Sequence, residues 1–191
     1  MGYKTLPSPQ STPQTKSHFK MFQDSLIFCT LAPLAIGFLS AWETRAAVKS
    51  KWYSSVKKPW FNPPRFVFAP IWTYLYISTG YALYLVNKHV QDSSPNDTSF
   101  GQLGIYAFWV QLLANFIWSK VYFVWRNIDL ALDDMVFLSG TAVVTMLCFF
   151  SASTLAGCLM LPYVAWALYA TALTYSVKQM NEDFSAEPST N

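Results

Sequence analysis

MVFLSGTAVVTMLCFFSASTLAGCLMLPYVAWALYATALTYSV, residues 135–177, runs for 43 residues without one charged side chain. A helix that crosses a bilayer needs about 20 apolar residues, so this stretch is long enough for two. Small polar turn residues, SASTLAG at 151–157, fall in its middle. The pattern predicts two antiparallel spans joined by a tight hairpin, over roughly 130–150 and 155–177, the first beginning within DLALDDM. Soluble core helices are excluded on the same ground, because runs this long without charge leave no solvated face.

Working outward, three more apolar runs appear. Residues 25–42 (SLIFCTLAPLAIGFLSAW) and 66–87 (FVFAPIWTYLYISTGYALYLVN) carry no charge, and residues 104–125 (GIYAFWVQLLANFIWSKVYFVW) carry only Lys120. The fold class that follows is an all-α membrane protein with a bundle of five transmembrane helices. The membrane domain is placed at 21–180. Residues 1–20, rich in Ser, Thr, Pro, Gln and Lys, read as a disordered tail, and 181–191 read as a C-terminal tail. The first apolar run is too long for a signal-peptide core.

Composition agrees. The 191 residues are 53% hydrophobic, 18% aromatic and 12% charged, against roughly 25% charged in soluble domains. A net charge of +3 gives no footing for a nucleic-acid partner. Cys29, Cys148 and Cys158 all lie in apolar runs without metal spacing and read as small buried side chains. The only histidines, His18 and His89, read as solvated, so no catalytic residue and no metal site is expected.

Orientation follows from the basic residues. Five spans put Arg45, Lys49, Lys51, Lys57, Lys58, Arg65, Arg126 and Lys178 on one side, and Lys4, Lys16, Lys20 and Lys88 on the other. The positive-inside rule then makes the 43–65 loop and the C-terminus cytosolic. Lys120 reads either as a lysine snorkelling to the headgroups or as a cation facing a ligand. Asp129, Asp133 and Asp134 suit the N-terminal end of the fourth span, where the helix dipole favours carboxylates; a catalytic acid pair is the rival reading.

In the third span Gln111, Asn115, Trp118 and Tyr122 recur at i, i+4, i+7 and i+11, on one helical face. Amides inside a membrane are costly without partners. The stripe is therefore interhelical glue, a pocket wall, or both.

Several blocks resemble one family. Trp52-Tyr53, Lys58-Pro59 and Asn62-Pro63-Pro64 resemble the W-Y-x(4)-K-P-x-W-x-P-P loop of the translocator protein family, also called tryptophan-rich sensory proteins or peripheral-type benzodiazepine receptors. Ala69-Pro70-Ile71-Trp72 with Leu75-Tyr76 and Gly80-Tyr81 resembles its second helix. Gln111, Asn115, Trp118, Ser119 and Phe123 resemble its third. Ala131-Leu132-Asp133-Asp134 with Ser139-Gly140 resembles its fourth, and Leu161-Pro162-Tyr163-Val164-Ala165-Trp166 its fifth. The blocks occur in order across residues 26–180. The departures are Leu130 and Phe61, where the family often has Trp, and Thr174, where animal members often have Asn; they imply a different ligand preference.

The resemblance implies a five-helix fold and a cavity for flat hydrophobic ligands: porphyrins such as protoporphyrin IX or heme, cholesterol and other sterols, and synthetic benzodiazepine-like compounds. No cofactor is required. Carried over by position, the ligand-binding residues are Phe68, Trp72, Asn115, Trp118, Ala170 and Leu173, with Trp166 a further ring on the wall. Trp72 and Asn115 are expected to share a ligand carbonyl. Leu173, Tyr175 and Lys178 fit the loose L/V-x-Y-x-K/R sterol pattern; an ordinary interfacial anchor is the rival reading. The family typically forms homodimers, and Gly37, Gly80 and Gly140 offer small packing surfaces.

The segment KKPWFNPPRFVFAPIW, 57–72, mixes charge, proline and aromatics because it crosses a boundary. Lys57 and Lys58 belong at the cytosolic surface, and Trp60, Phe61 and Phe66 at headgroup depth. Pro63 and Pro64 suit the entry to the next helix. Phe61, Pro63 and Pro64 are expected to form a stiff lid over the cytosolic mouth of the cavity.

Three functions compete: a binding and translocation protein for tetrapyrroles or sterols, a light-dependent porphyrin-degrading enzyme using Trp118 and Trp166, and a membrane scaffold or stress sensor. The resemblance implies the mitochondrial outer membrane first and the endoplasmic reticulum second. In the latter, the sequon Asn96-Asp97-Thr98 is open to glycosylation.

Overall fold

The computed structural model describes residues 25–94 and 98–181. Residues 1–24, 95–97 (with Asn96-Asp97 of the sequon) and 182–191 lie outside the described residues. Within them the chain is all helical: α1 (Leu26–Val48), α2 (Lys51–Ser55), α3 (Arg65–Asp92), α4 (Ser99–Phe123), α5 (Ile128–Ala152) and α6 (Thr154–Met180). Four of these, α1, α4, α5 and α6, are long and apolar enough to cross a membrane. The fifth long helix, α3, has 28 residues but carries four tyrosines and several hydroxyls, which lower its apolar character.

The uncharged stretch divides at one residue. Ser153 both ends α5 and caps α6, its side chain accepting from the Ala156 N–H at 3.4 Å. A serine cap satisfies a first-turn donor that nothing else could reach. The hairpin is therefore tighter than the predicted 151–157 turn. At the other end of α5, the Asn127 side chain accepts from the Leu130 N–H at 2.9 Å.

Two boundaries differ from the expectation of a loop at 43–65. Helix α1 runs on to Val48, and α2 adds a short turn of helix capped by Ser50. The apolar run ends at Trp42, yet the helix continues because its charges find partners: Glu43 meets Lys120 of α4 at 2.7 Å. That ion pair also answers the Lys120 question, since its ammonium reaches α1, passing 4.7 Å from the Phe116 ring.

The long helices form a ring. α1 packs on α3, α3 on α6, α6 on α5, α5 on α4, and α4 closes back on α1. Outward faces carry large apolar side chains such as Leu31, Phe38, Tyr106, Phe137 and Leu147. Polar side chains turn inward and tie helices together. Ser78 donates to the Leu159 carbonyl at 2.8 Å, and the Ser139 and Thr171 hydroxyls meet at 2.8 Å. Such bonds spare polar groups from exposure to hydrocarbon.

Glycines do a related job. A Cβ on Gly80 would lie 2.5 Å from the Cys29 carbonyl oxygen, and one on Gly37 would overlap the Tyr76 ring. Both glycines let α1 and α3 touch. The dimer surface expected of them is reduced to Gly140, which has open space around it. The cysteine reading also needs correction: Cys29 and Cys148 are buried, but Cys158 is exposed, on the same outward face of α6 as Leu155 and Leu161.

Asn181, assigned to the tail, is instead a buried clasp. Its Oδ1 accepts from the Lys57 N–H at 2.9 Å, and its Nδ2 donates to the Lys57 carbonyl at 2.9 Å and to the Val177 carbonyl at 2.6 Å. The loop after α2 is thereby fastened to the end of α6, beside a small apolar cluster of Val56, Ile128 and Val177. Replacing Asn181 with alanine removes three bonds, part of whose loss water at the exposed Lys57 restores. We expect a loss of about 2 kcal/mol, read as a lowered midpoint in thermal unfolding of the detergent-purified protein.

Candidate ligand-binding cavity

The ring of helices does not close up at the end where α1 stops and α3 starts. A cavity of about 590 Å³ opens there, within the range of small-molecule sites. Its depth can be read from the chain. On α1 the wall runs from Leu34, inside, to Lys49 at the mouth; on α3 it runs from Tyr76, inside, to Arg65 at the mouth. Eleven residues of helix between the latter two correspond to about 16 Å.

The wall is aromatic. Trp166 meets Phe68 with ring centroids 6.0 Å apart, Trp72 at 6.4 Å and Tyr169 at 5.2 Å. Trp72 stacks on Tyr76 at 5.3 Å. Across the cavity, Trp118 stacks on Tyr122 at 5.3 Å. All seven residues expected to contact ligand, Phe68, Trp72, Asn115, Trp118, Trp166, Ala170 and Leu173, line this one space. The helical period brings them together: each falls on the inward face of α3, α4 or α6.

Polar atoms on the wall are few. Asn115 is 4% exposed, and its Oδ1 accepts from the Tyr76 hydroxyl at 2.7 Å. This bond ties α4 to α3, so Asn115 acts as glue and wall at once, whereas Gln111 is buried outside the cavity lining with its Oε1 unpartnered among the described residues. Thr44 and Thr174 donate back to the carbonyls of Ser40 and Ala170. The indole Nε1 atoms of Trp118 and Trp166 are buried and have no hydrogen-bond partner among the described residues. Buried indole N–H groups normally find one. Both nitrogens are buried out of reach of the open cavity, which meets the faces of these rings.

The mouth is basic. Arg45, Lys49 and Arg65 line it, with Tyr53 between. The Arg65 guanidinium carbon lies 5.2 Å from the Tyr53 ring centroid, and Lys58 Nζ lies 4.2 Å from it. Lys58, expected at the surface, is half-buried. It donates to the Tyr53 carbonyl at 2.6 Å and the Val56 carbonyl at 3.0 Å. Burial pushes the Tyr53 phenol up, the Arg65 charge partly opposing this. Burial lowers the Lys58 ammonium, and Arg65 adds to the shift.

The expected lid residues sit beside the cavity rather than in its wall. The Phe61 carbonyl accepts from the Tyr169 hydroxyl at 2.8 Å, and the Phe61 ring meets the Tyr169 ring edge-on. Pro64 caps α3 with extended backbone. Tyr169 in turn touches Trp166, so the loop is linked to the cavity through one ring. Trp60 projects outward, 95% exposed.

The proposed sterol pattern is split between surfaces. Leu173 lines the cavity, Tyr175 is exposed, and Lys178 pairs with Asp129 at 2.7 Å. Residues two apart on a helix point in nearly opposite directions, so the three make no common face. Asp129 stands in the first turn of α5, as the dipole reading requires. Asp133 is exposed, and Asp134 has a buried oxygen without a partner among the described residues. No group of three or more His, Cys, Asp and Glu able to hold a metal occurs among the described residues.

A helical bundle with lipid-facing apolar sides and an internal aromatic cavity defines the class: an integral membrane protein built around an apolar site. The TspO/MBR family model matches residues 29–180, and the chain belongs to that family. It is 36% identical over 158 residues to the tryptophan-rich protein TspO of Archaeoglobus fulgidus, covering 82% of this chain and 96% of that one. It is 37% identical over 153 residues to the translocator protein of Bos taurus, covering 80% and 88%. The tryptophan-rich sensory protein of Cereibacter sphaeroides is 34% identical over 131 residues, covering 69% and 77%.

Proposed function

We propose that this protein spans the membrane five times and binds flat hydrophobic ligands in the cavity, for their translocation or regulated release. The observation that carries the reading is the aromatic wall, with Phe68, Trp72, Asn115, Trp118, Trp166, Ala170 and Leu173 all lining one cavity. Porphyrin or heme-type tetrapyrroles and sterols are the ligand classes. Both offer wide apolar faces to match the rings of the wall. Family relatives named translocator protein and tryptophan-rich sensory protein support a binding role over a catalytic one.

The fifth span is α3. Its 28 residues correspond to about 42 Å, ample for the hydrocarbon core, and it packs between α1 and α6 in the ring. Tyr76, Ser78 and Thr79 are buried toward the bundle, while Tyr74 and Tyr81 are exposed. The basic end of the bundle faces the cytosol with the C-terminus, and the membrane is the mitochondrial outer membrane, with the endoplasmic reticulum as the alternative. The Pro63-Pro64 loop acts as a lid that moves with Tyr169. A homodimer forms through the outer surface, where Gly140 is open.

The test is a titration of the purified protein with protoporphyrin IX in the dark, followed by illumination. Saturable quenching of tryptophan emission, with no light-dependent product, is the expected result. Product that disappears in Trp118→Phe would assign the protein to porphyrin breakdown instead. Absence of both porphyrin and sterol binding would leave a scaffold.

A further inference from the structure

The wall of the cavity is uneven. Every lining residue from α4, α5 and α6 is buried or half-buried. The exposed ones come from α1, the residue that ends it, and α3. Arg45, Lys49 and Arg65 stand at the mouth. Phe38 and Ala41 on α1, and Ala69 and Thr73 on α3, lie deeper, yet they too are exposed. Phe38 is 64% exposed, between the outward Leu39 and Trp42. Side chains that line the cavity and also face outward mark a place where the wall is open.

The four positions fall at matching depths. Ala69 and Thr73 lie about 6 and 12 Å beyond Arg65 along α3, and Ala41 and Phe38 about 6 and 10 Å before Arg45 along α1. All four belong to the uncharged runs 25–42 and 66–87, so they sit at hydrocarbon depth. Farther in, the seam shuts: a Cβ on Gly37 would overlap the Tyr76 ring, and the backbones meet at Gly80. From that crossing α1 and α3 diverge toward the mouth. Small side chains usually let membrane helices close up; here Ala41, Ala69 and Thr73 edge a slot instead. Phe38 is the one large side chain among the four. Its ring leans on Trp42, centroids 6.4 Å apart, and an exposed ring changes rotamer within nanoseconds.

We propose that the cavity exchanges its ligand with the bilayer, sideways through the slot between α1 and α3, with Phe38 as the side chain that swings aside. This rests on the cavity being the ligand site. It adds where the ligand comes from: a hydrophobic molecule already dissolved in the membrane. Such a molecule keeps its apolar faces out of water throughout, whereas a route through the aqueous mouth would expose them.

A reversible bridge across the slot tests this. Ala41→Cys and Ala69→Cys are introduced together with Cys158→Ser, which removes the exposed native thiol. The full-length protein is placed in phosphatidylcholine vesicles, a short bis-methanethiosulfonate joins the pair, and mass spectrometry follows the bridging. The probe is protoporphyrin IX, read by tryptophan quenching. The bridge is expected to slow association and dissociation together by roughly tenfold, and a reductant to restore both. Restoration also shows that the fold survived. Fully bridged protein with unchanged rates overturns the side route and leaves the cavity as the ligand site. Failure of the pair to bridge overturns the placement of Ala41 and Ala69 across one slot. If neither wild type nor the unbridged variant binds protoporphyrin IX, the cavity reading itself fails.

Discussion

Replacing Gly80 with valine will force α1 away from α3. At this crossing the two backbones are in contact: a Cβ on Gly80 falls 2.5 Å from the Cys29 carbonyl oxygen and 2.8 Å from the Thr30 Cα. Both are backbone atoms, so no side-chain rotation relieves the clash. Overpacking commonly costs about 1–3 kcal/mol. A branched side chain against a rigid backbone belongs at or above that upper end, and a loss of about 3 kcal/mol lowers the thermal midpoint by roughly 6–12 °C. The consequence reaches the cavity, because α1 supplies its wall from Leu34 to Lys49. Porphyrin affinity should fall with stability. Gly140→Ala is the control: nothing lies within 4 Å of its added carbon, and its midpoint should stay within about 2 °C of wild type. Gly80→Val melting beside wild type would refute the close approach of the two helices.

Truncating Trp166 to alanine should produce the largest loss of ligand affinity. This ring holds the wall together, touching Phe68, Trp72 and Tyr169, and its buried Nε1 is unpartnered among the described residues. Losing a central aromatic anchor costs binding about 2–3 kcal/mol, a factor of roughly 30–150 in affinity for protoporphyrin IX. Trp166→Phe separates ring from donor. It keeps an aromatic surface, so a much smaller loss than that of the alanine variant is expected. The alanine variant should also unfold earlier, because Phe68 and Trp72 lose a neighbour. Binding is therefore measured well below its melting point. An alanine variant within twofold of wild type would place the ligand elsewhere.

The sequence made some of this legible and hid the rest for identifiable reasons. The uncharged run 135–177 disclosed two helices because charge is expelled from apolar surroundings over a fixed length. Its division at Ser153 was blurred by other small residues, and only the capping bond selects among them. The end of α1 and the whole of α2 were missed because Glu43, Arg45 and Lys49 break the apolar pattern. Ser50, whose hydroxyl accepts from the Tyr53 N–H at 3.2 Å, was the available signal. The spacing of Gln111, Asn115 and Trp118 showed which face of α4 turns inward, and family blocks indicated which residues of α3 and α6 meet it. Asn181 could not be read, since its partner Lys57 is 124 residues away. The basic mouth was hidden differently. Arg45, Lys49 and Arg65 counted toward membrane orientation, but nothing in a linear chain shows that they encircle one opening.

The central claim is that the ligand lies inside the helical ring. Anomalous diffraction from crystals grown with zinc protoporphyrin IX tests it most directly. The zinc marks the ring centre, and its peak is predicted within the cavity, between Trp118 on one side and Trp72 and Trp166 on the other. A peak on the outer face of the helices, with the cavity unchanged, would contradict the account.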